Sequence, residues 1–202
     1  MILGIYGPFA VGKTYWLKNG MDDLADSSYG NLTVVLGDLN QEYWLNDDHW
    51  VLRENKPRWK GKKEDKLPWI NRMVAAEDRL WIVESARYFG GMQDQFIQSF
   101  ERYGGGLRFI IPVVEPDTMR QFLIERCKKR NKKFREGYWD DKRLMYESQG
   151  RYVNAMEKHY VPIGVKCYVK MVSYDRSEWV GIGRLAREIC SLSPKAWYND
   201  RD

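Results

Sequence analysis

The sequence Ile5-Tyr6-Gly7-Pro8-Phe9-Ala10-Val11-Gly12-Lys13-Thr14 fits the pattern G-x-x-x-x-G-K-S/T at every required position. Glycine lacks a Cβ, so the backbone at Gly7 and Gly12 can adopt positive φ and turn its N–H groups toward phosphate oxygens. In this pattern Lys13 reaches the β- and γ-phosphates of a nucleotide, and the Thr14 hydroxyl is placed to bind Mg²⁺. The stretch therefore predicts a phosphate-binding loop for a nucleoside triphosphate. Its predicted nucleotide-binding residues are Gly7, Pro8, Phe9, Ala10, Val11, Gly12, Lys13 and Thr14.

The residues on either side of this loop support the prediction. Residues 1–6 form a short apolar run with β-branched and aromatic members, which predicts a buried strand, and residues 15–24 are compatible with a helix. The order is strand, loop and helix. The N-terminus of the helix is therefore expected to point at the phosphates.

Length and composition indicate one domain spanning residues 1–202. Hydrophobic residues make up 44% of the sequence and charged residues 30%, a balance typical of a soluble protein. No apolar run approaches the roughly 20 residues that span a bilayer. The first residues also lack the basic segment of a secretion signal. We therefore expect a protein that has no membrane partner.

Cysteine and histidine usage argues against several kinds of site. Cys127, Cys167 and Cys190 are widely spaced and odd in number, which disfavours a disulfide framework or a zinc site. With His49 and His159 as the only histidines, a histidine-based metal site or a Ser-His-Asp triad is not expected. A reducing cytoplasm is the expected location, which is the host cytoplasm if a bacteriophage encodes the protein.

Apolar runs alternate with helical periodicity along the chain. After residues 1–6, such runs predict strands at residues 32–36, 79–85, 107–114 and 165–172. Helices are predicted at residues 15–24 (with a break near Asn19-Gly20), 68–78, 92–103, 117–130, 142–159 and 177–192, and a loose tail at residues 196–202. This order predicts an α/β fold of the P-loop NTPase type, with a five-stranded, mainly parallel sheet flanked by helices.

Two acidic residues follow strands at the sheet edge that would carry the loop. Asp38 comes just after residues 32–36, and Glu84 lies near the end of residues 79–85. In open α/β sheets, ligands bind beyond the carboxyl ends of the strands, so both carboxylates are candidates for chemistry. Asp38 is also suited to cap a following helix. Glu84 is either a Mg²⁺ ligand that acts through water or an ordinary strand-ending acid.

A basic segment lies between the predicted fourth and fifth strands, with the sequence Arg126-Cys127-Lys128-Lys129-Arg130-Asn131-Lys132-Lys133-Phe134-Arg135. The chain has no N-K-x-D sequence of the kind that GTPases use to recognise the base. With its small size, its loop and its element order, it resembles the nucleoside, nucleotide and polynucleotide kinase branch of P-loop proteins. The likeness in element order spans the whole chain, and the loop is its one highly specific motif.

This resemblance implies roles for individual residues. The basic segment would form an arginine-rich lid at about residues 126–142, whose arginines neutralise charge on the transferring phosphoryl group. Asp38 would be the general base that accepts the proton of the attacking hydroxyl. The turn at residues 174–176 would border the nucleotide base. The implied catalytic residues are Asp38, Lys13, Arg126 and Arg130, with Arg120 and Arg135 in reserve.

Residues 46–66 carry no clear periodicity and predict a mobile, basic loop on the acceptor side. Trp50, Trp59 and the nearby Trp69 are interleaved there with lysines and arginines. Basic groups follow a phosphate backbone and aromatic faces stack on unpaired bases, so the segment favours a nucleic acid acceptor. The alternative is a solvated loop whose tryptophans belong to the core. The candidate acceptor-binding residues are Arg87, for which a surface ion pair is the alternative, and Arg53, Arg58 and Trp59.

These observations favour one function and leave two others open. The first hypothesis is a kinase that uses ATP and Mg²⁺ to phosphorylate a hydroxyl of DNA. The acceptor would be a 5′-hydroxyl or a hydroxymethyl group on a base, and the latter resembles bacteriophage kinases that act on 5-hydroxymethyluracil in DNA. The alternatives are a small-molecule nucleoside or nucleotide kinase and a nucleic-acid-stimulated ATPase. The net charge of +5 is compatible with a polyanionic partner, and the sequence leaves the oligomeric state open.

Overall fold

The structure is a computed structural model that describes residues 1–7, 10–25, 31–36, 41–46, 49–55, 67–76, 79–85, 106–147, 153–154, 156–160, 162, 165, 167–173, 181–191 and 197–201. Its strands are β1 (Ile2–Tyr6), β2 (Leu32–Leu36), β3 (Gln41–Asn46), β4 (His49–Asn55), β5 (Leu80–Ser85), β6 (Leu107–Val113), β7 (Cys167–Ser173) and β8 (Trp197–Arg201). Its α-helices are α1 (Lys13–Asn19), α2 (Met21–Ala25), α3 (Leu67–Ala75), α4 (Pro116–Lys129), α5 (Asp141–Met145) and α6 (Ile182–Ser191). A 3₁₀ turn at Glu136–Tyr138 and a π-helical turn at Met156–Tyr160 complete the described elements.

The described strands form one mixed sheet in the order β4-β3-β2-β5-β1-β6-β7-β8. From β2 to β8, neighbouring strands pair in parallel, with β1 held between β5 and β6. β3 and β4 form an antiparallel hairpin that extends the sheet beyond β2. All carboxyl ends of the parallel strands therefore lie at one edge of the sheet, and the segment after β1 begins there.

Two apolar cores lie on opposite faces of the sheet, because successive side chains of a strand point to opposite sides. Leu3 and Ile5 of β1 belong to the core that contains buried residues of α1, α2 and α6. Ile2 and Tyr6 belong to the other core, in which Tyr6 meets Phe109 edge to face at 5.4 Å between ring centres. β1 is therefore buried on both faces, as a continuous apolar run requires.

The predicted α/β class is confirmed, but the predicted count of five strands is wrong. All five predicted strands are present as β1, β2, β5, β6 and β7, and the sheet gains β3, β4 and β8. Part of the predicted loop at residues 46–66 is strand β4, and the predicted tail at residues 196–202 contains β8. The sheet is mixed because β3 runs antiparallel to both β2 and β4. The prediction had no strand in this part of the chain.

The predicted helices are partly present. The predicted helix at residues 15–24 is present as α1 and α2, and its predicted break near Asn19-Gly20 is confirmed. The predicted helix at residues 142–159 contains the short α5 and a separate π-helical turn. The predicted helix at residues 92–103, the turn at residues 174–176 and residues 56–66 lie outside the described residues. Among the helices that the structure describes, none is long and apolar enough to cross a membrane.

Candidate functional site

The glycine-rich loop, residues 7–14, connects β1 to the first turn of α1. Gly7 and Gly12 have φ of 153° and 101°, values that favour glycine, and Ala10 between them has φ of 80°. The first helical hydrogen bond of α1 runs from the N–H of Trp16 to the carbonyl of Gly12 at 2.9 Å. The two glycines required by the sequence pattern thus adopt the backbone conformations that the pattern predicts.

A buried polar cluster lies beside this loop. β5 pairs in parallel with β1, which places Glu84 opposite Ile5. The Thr14 hydroxyl donates to Glu84 Oε2 at 3.0 Å, and Lys13 Nζ lies 4.0 Å from Glu84 Oε1. Lys13 Nζ also donates to the carbonyl of Gly7 at 3.0 Å. Lys13 is 5% exposed and Glu84 6%, so the structure gathers three predicted site residues in a place that water hardly reaches.

The groups in this cluster suit an anion and a divalent cation. A buried ammonium needs anionic oxygens around it, and Glu84 supplies one such partner to Lys13. The Thr14 hydroxyl and the Glu84 carboxylate are hard oxygen ligands of the type that Mg²⁺ prefers. Within the described residues, no group of three or more histidine, cysteine, aspartate and glutamate side chains could hold a metal ion. Thr14 and Glu84 are thus two described residues whose oxygens could hold Mg²⁺ beside the loop.

The lid unit, defined as residues 116–147, begins just beyond β6 at the same edge of the sheet. α4 ends in a chain reversal in which Asn131 adopts a left-handed φ of 50°. α5 then starts at Asp140, whose Oδ1 accepts from the N–H of Arg143 at 2.8 Å and caps the helix. The predicted basic segment, residues 126–135, therefore comprises the last turn of α4 and the chain reversal that follows it.

A small apolar core joins the lid unit to the glycine-rich loop. Val11 of the loop is buried in this core, and Ala10 packs against it. The other members come from the end of β6 and from the lid unit, namely Val114, Met119, Phe122, Leu123, Leu144, Phe134 and Trp139. The lid unit therefore rests directly on the loop.

Arg120, a reserve candidate for charge neutralisation, has its guanidinium engaged within the lid unit. Nη1 lies 3.1 Å from Asp117 Oδ1, and Nη2 lies 2.8 Å from Asp141 Oδ1. Nη2 also donates to the carbonyl of Trp139 at 3.3 Å. Arg120 thereby fastens the start of α4 to the start of α5, which is a structural role that the sequence did not predict.

Arg126 and Arg130, the two lid candidates for catalysis, lie at the C-terminal end of α4. Arg126 is half-buried in the last turn, and Arg130 is the exposed C-cap residue. The pair was predicted to share one face of a helix, but α4 ends at Lys129, so Arg130 lies just beyond the helix that holds Arg126. Arg135, the second reserve candidate, is exposed and precedes the 3₁₀ turn.

Several predicted site residues lie outside the described residues, and their roles stay predictions: Pro8, Phe9, Asp38, Arg58, Trp59 and Arg87. The described acceptor-side candidate is Arg53, an exposed residue of β4. Its guanidinium carbon lies 4.9 Å from the ring centre of Trp44, and that of Arg79 lies 4.1 Å from the same ring. Two cations thus stack on one tryptophan of the hairpin.

The sequence-based prediction missed a buried carboxylate in this hairpin. Glu42 is 1% exposed and accepts hydrogen bonds from Trp44 Nε1 and Arg72 Nη2. Arg72 comes from α3, and its guanidinium carbon lies 5.6 Å from the ring centre of Trp81. The available signal was the spacing of Glu42 and Trp44, since residues two apart share one face of a strand. The cluster ties the hairpin to α3 and β5.

Two buried titratable groups lie away from the loop. Burial raises the pKa of the Cys167 thiol to about 12. Burial, and then the nearby Cys167, raises the pKa of Tyr160 well above its ordinary value of 10.0. Both groups stay protonated at neutral pH, so neither is suited to act as a nucleophile.

Comparison with known proteins adds no relative to this description. No model of a known protein family matches the chain, and no curated protein matches it. The case for a function therefore rests on the contacts of Lys13, Thr14 and Glu84 themselves.

Proposed function

We propose that the protein is a phosphotransferase of the P-loop kinase type that moves the γ-phosphoryl group of ATP to a hydroxyl of a nucleic acid. The observation that carries the proposal is the buried contact of Lys13 and Thr14 with Glu84 beside the glycine-rich loop. A cationic, a hydroxyl and a carboxylate group at the N-terminus of one helix suit a triphosphate and its metal ion.

The loop and its cluster would hold the nucleotide. The backbone N–H groups of residues 9–14 would surround the phosphates, and Lys13 would contact the β- and γ-phosphates. The Thr14 hydroxyl and Glu84 would hold Mg²⁺, which when bound supplies positive charge against the phosphate oxygens. The burial of Lys13 supports this assignment, because a desolvated ammonium interacts strongly with an anion.

In the proposed reaction, the acceptor hydroxyl oxygen forms a bond to the γ-phosphorus. The bond between that phosphorus and the oxygen bridging it to the β-phosphate breaks, and ADP leaves with the electron pair. Asp38 would take the hydroxyl proton, as its place just after β2 suggests. Lys13, Arg126 and Arg130 would offset the charge of the transferring group, which is the main task of protein groups in phosphoryl transfer.

The acceptor side favours a nucleic acid over a small molecule. The hairpin of β3 and β4 extends the sheet next to β2, the strand that leads to Asp38. It exposes Arg53, and its Trp44 lies between the guanidinium groups of Arg53 and Arg79. Cationic and aromatic side chains side by side are the combination that binds unpaired nucleotides.

The direct test is to incubate the protein with γ-labelled ATP and Mg²⁺ in the presence of different acceptors. The panel contains DNA with a 5′-hydroxyl, DNA with 5-hydroxymethyluracil, ordinary duplex DNA and free nucleosides. Label on DNA supports the proposal, and the labelled member names the acceptor. Label on nucleosides alone points to a small-molecule kinase, and phosphate released to water alone points to an ATPase.

Variants separate nucleotide binding from transfer. Lys13→Ala is expected to lose nucleotide affinity and to lower turnover about 100-fold or more. The control is Lys18→Ala, which removes an exposed lysine from the last turn of the same helix. Asp38→Asn is expected to lower turnover about 100-fold or more while leaving ATP affinity nearly unchanged. Full turnover in Asp38→Asn would refute the general-base role.

A further inference from the structure

The C-terminal part of the lid unit, residues 126–147, carries a surplus of positive charge. Residues 126–147 contain nine basic and four acidic residues, a surplus equal to the net charge of +5 of the whole chain. Two of the four acids have internal tasks, since Asp140 caps α5 and Asp141 pairs with Arg120. Within the described residues, no ion pair engages the exposed basic residues Lys128, Lys129, Arg130, Lys132, Lys133 and Arg135.

A fixed aromatic platform follows this basic turn. The guanidinium carbon of Arg143 lies 3.5 Å from the ring centre of Tyr138 and 5.3 Å from that of Trp139. The Tyr138 and Trp139 rings are nearly perpendicular, at 87°, with centres 5.1 Å apart. Tyr138 nevertheless stays 51% exposed, as does Tyr146 one turn beyond Arg143. A ring that is already held by its neighbours loses little side-chain entropy when a base stacks on it.

This platform is linked to the glycine-rich loop through Trp139 and the small apolar core. Trp139 contacts Tyr138 on one side, and on the other it packs into the core that contains Val11 and Ala10 of the loop. The carbonyl of Trp139 also accepts a hydrogen bond from Arg120, which fixes it between α4 and α5. The Trp139 side chain would therefore lie between a ligand stacked on Tyr138 and the apolar core that contains Val11.

We infer that the basic turn at residues 128–135 and the aromatic platform of Tyr138 and Arg143 form a docking surface for single-stranded nucleic acid. The lysines and arginines of the turn contact the phosphate backbone, and an unpaired base stacks on Tyr138. The inference extends the proposed function, since it identifies where the acceptor strand is held outside the transfer site. The surface binds the strand without nucleotide, metal or catalysis.

The test compares two fluorescent probes by anisotropy, in EDTA and without nucleotide. One probe is a single strand of about 12 nucleotides, and the other is an abasic strand of the same length, which keeps the phosphates and lacks the bases. The full-length protein is expected to bind the base-containing strand about fivefold or more tightly than the abasic one. Tyr138→Ala is expected to remove this preference, and Tyr138→Phe, which keeps the ring, is expected to retain it.

The backbone contacts are tested separately with the Lys132→Ala, Lys133→Ala double variant. It is expected to weaken both probes by the same factor and to reduce the slope of log affinity against log salt by about 1.4, which is about 0.7 per lost charge. The matched control is Arg184→Ala, Arg187→Ala, which removes two exposed cations from α6 and is expected to change neither quantity. Because the lysines are exposed, this variant stays informative if Tyr138→Ala fails to fold.

Equal affinity of the protein for both probes, or an unchanged preference in folded Tyr138→Ala, overturns the stacking role. If the lysine double variant and the arginine control variant show the same slope of log affinity against log salt, the proposed contact of the lysines with the phosphate backbone is overturned. Lys13→Ala, which disables the proposed transfer, is expected to bind both probes like the parent. If no acceptor is labelled by ATP while the probes still bind as expected, the proposed function fails and the docking surface stands.

Discussion

Replacing Arg72 with methionine is expected to destabilise the protein, because the buried Glu42 carboxylate loses its counter-ion. Glu42 is 1% exposed, and its two described donors are Arg72 Nη2 and Trp44 Nε1. Methionine retains a flexible apolar stem above the ring of Trp81, where the guanidinium now lies. The substitution therefore removes the charge and leaves most of the packing in place.

The magnitude follows from the burial of the two partners. Removing one partner of a buried ion pair costs about 3–5 kcal/mol, because the other charge is left uncompensated. The Arg72 side chain is 44% exposed, so water can enter where the guanidinium was, and the lower end of that range applies. We expect a loss of about 3 kcal/mol in the free energy of unfolding.

A double-mutant cycle isolates the cause. The two donors bond different oxygens of Glu42. Glu42→Gln removes the charge and keeps one acceptor oxygen, so one donor loses its acceptor, and the variant is expected to cost about 1–2 kcal/mol. The double variant Glu42→Gln, Arg72→Met has no buried charge to leave unpaired and is expected to lose about 1–2 kcal/mol, well below the sum of the single losses.

Urea titration followed by tryptophan fluorescence measures these values, and a loss of about 3 kcal/mol lowers the midpoint by about 1 M or more. The control is Arg53→Met, which removes an exposed guanidinium from the ring of Trp44 and is expected to cost less than about 1 kcal/mol. A loss below about 1 kcal/mol in Arg72→Met, or additive losses in the cycle, would refute the reasoning.

Other single contacts give outcomes that can be measured directly. Asp23→Ala removes an oxygen that accepts from an N–H in the first turn of α6 at 2.8 Å, and should lower the free energy of unfolding by about 1 kcal/mol in a urea titration. Gly4→Ala would bring a Cβ to 2.6 Å from Phe109 Cδ1, and should cost about 1–3 kcal/mol, seen as a lower melting temperature. Iodoacetamide should modify the half-exposed Cys127 of the native protein at about pH 8 and leave buried Cys167 intact, so equal labelling would contradict the burial. Because the Cys167 pKa rises from 9.0 to about 12 on folding, the unfolded chain ionises first and stability should fall between those pH values, and less steeply in Cys167→Ala.

The central strands could be predicted from the sequence because of their position in the sheet. β1, β2 and β6 are buried almost throughout, so each is a continuous apolar run that a window of sequence detects. The Mg²⁺ roles predicted for Thr14 and Glu84 require these residues to be close, and they are, because parallel pairing of β1 and β5 brings the two carboxyl ends together. Local sequence suffices where burial on both faces decides the structure.

The hairpin and the last strand escaped prediction for the opposite reason. β4 is an edge strand with Val51 and Leu52 exposed, and β3 buries the charged Glu42, so neither shows apolar and polar residues in strict alternation. Glu42 is stable inside because Arg72 reaches it from a helix 30 residues further along the chain. β8 depends on pairing with β7. Both contacts join residues that are far apart in the sequence, so a local sequence pattern cannot reveal them.

The packing of the lid unit on Ala10 and Val11 bears on how such a protein can diversify. The sequence pattern of the loop leaves both positions free, because the nucleotide asks only for its glycines, lysine and hydroxyl. In this protein, Val11 belongs to the apolar core shared with residues 116–147, and Ala10 packs against that core. A chimera that exchanges residues 116–147 for the lid of another protein would need matching changes at both positions. Residues 116–147 and the two unspecified loop residues are therefore expected to be exchangeable only together, because they share one apolar core.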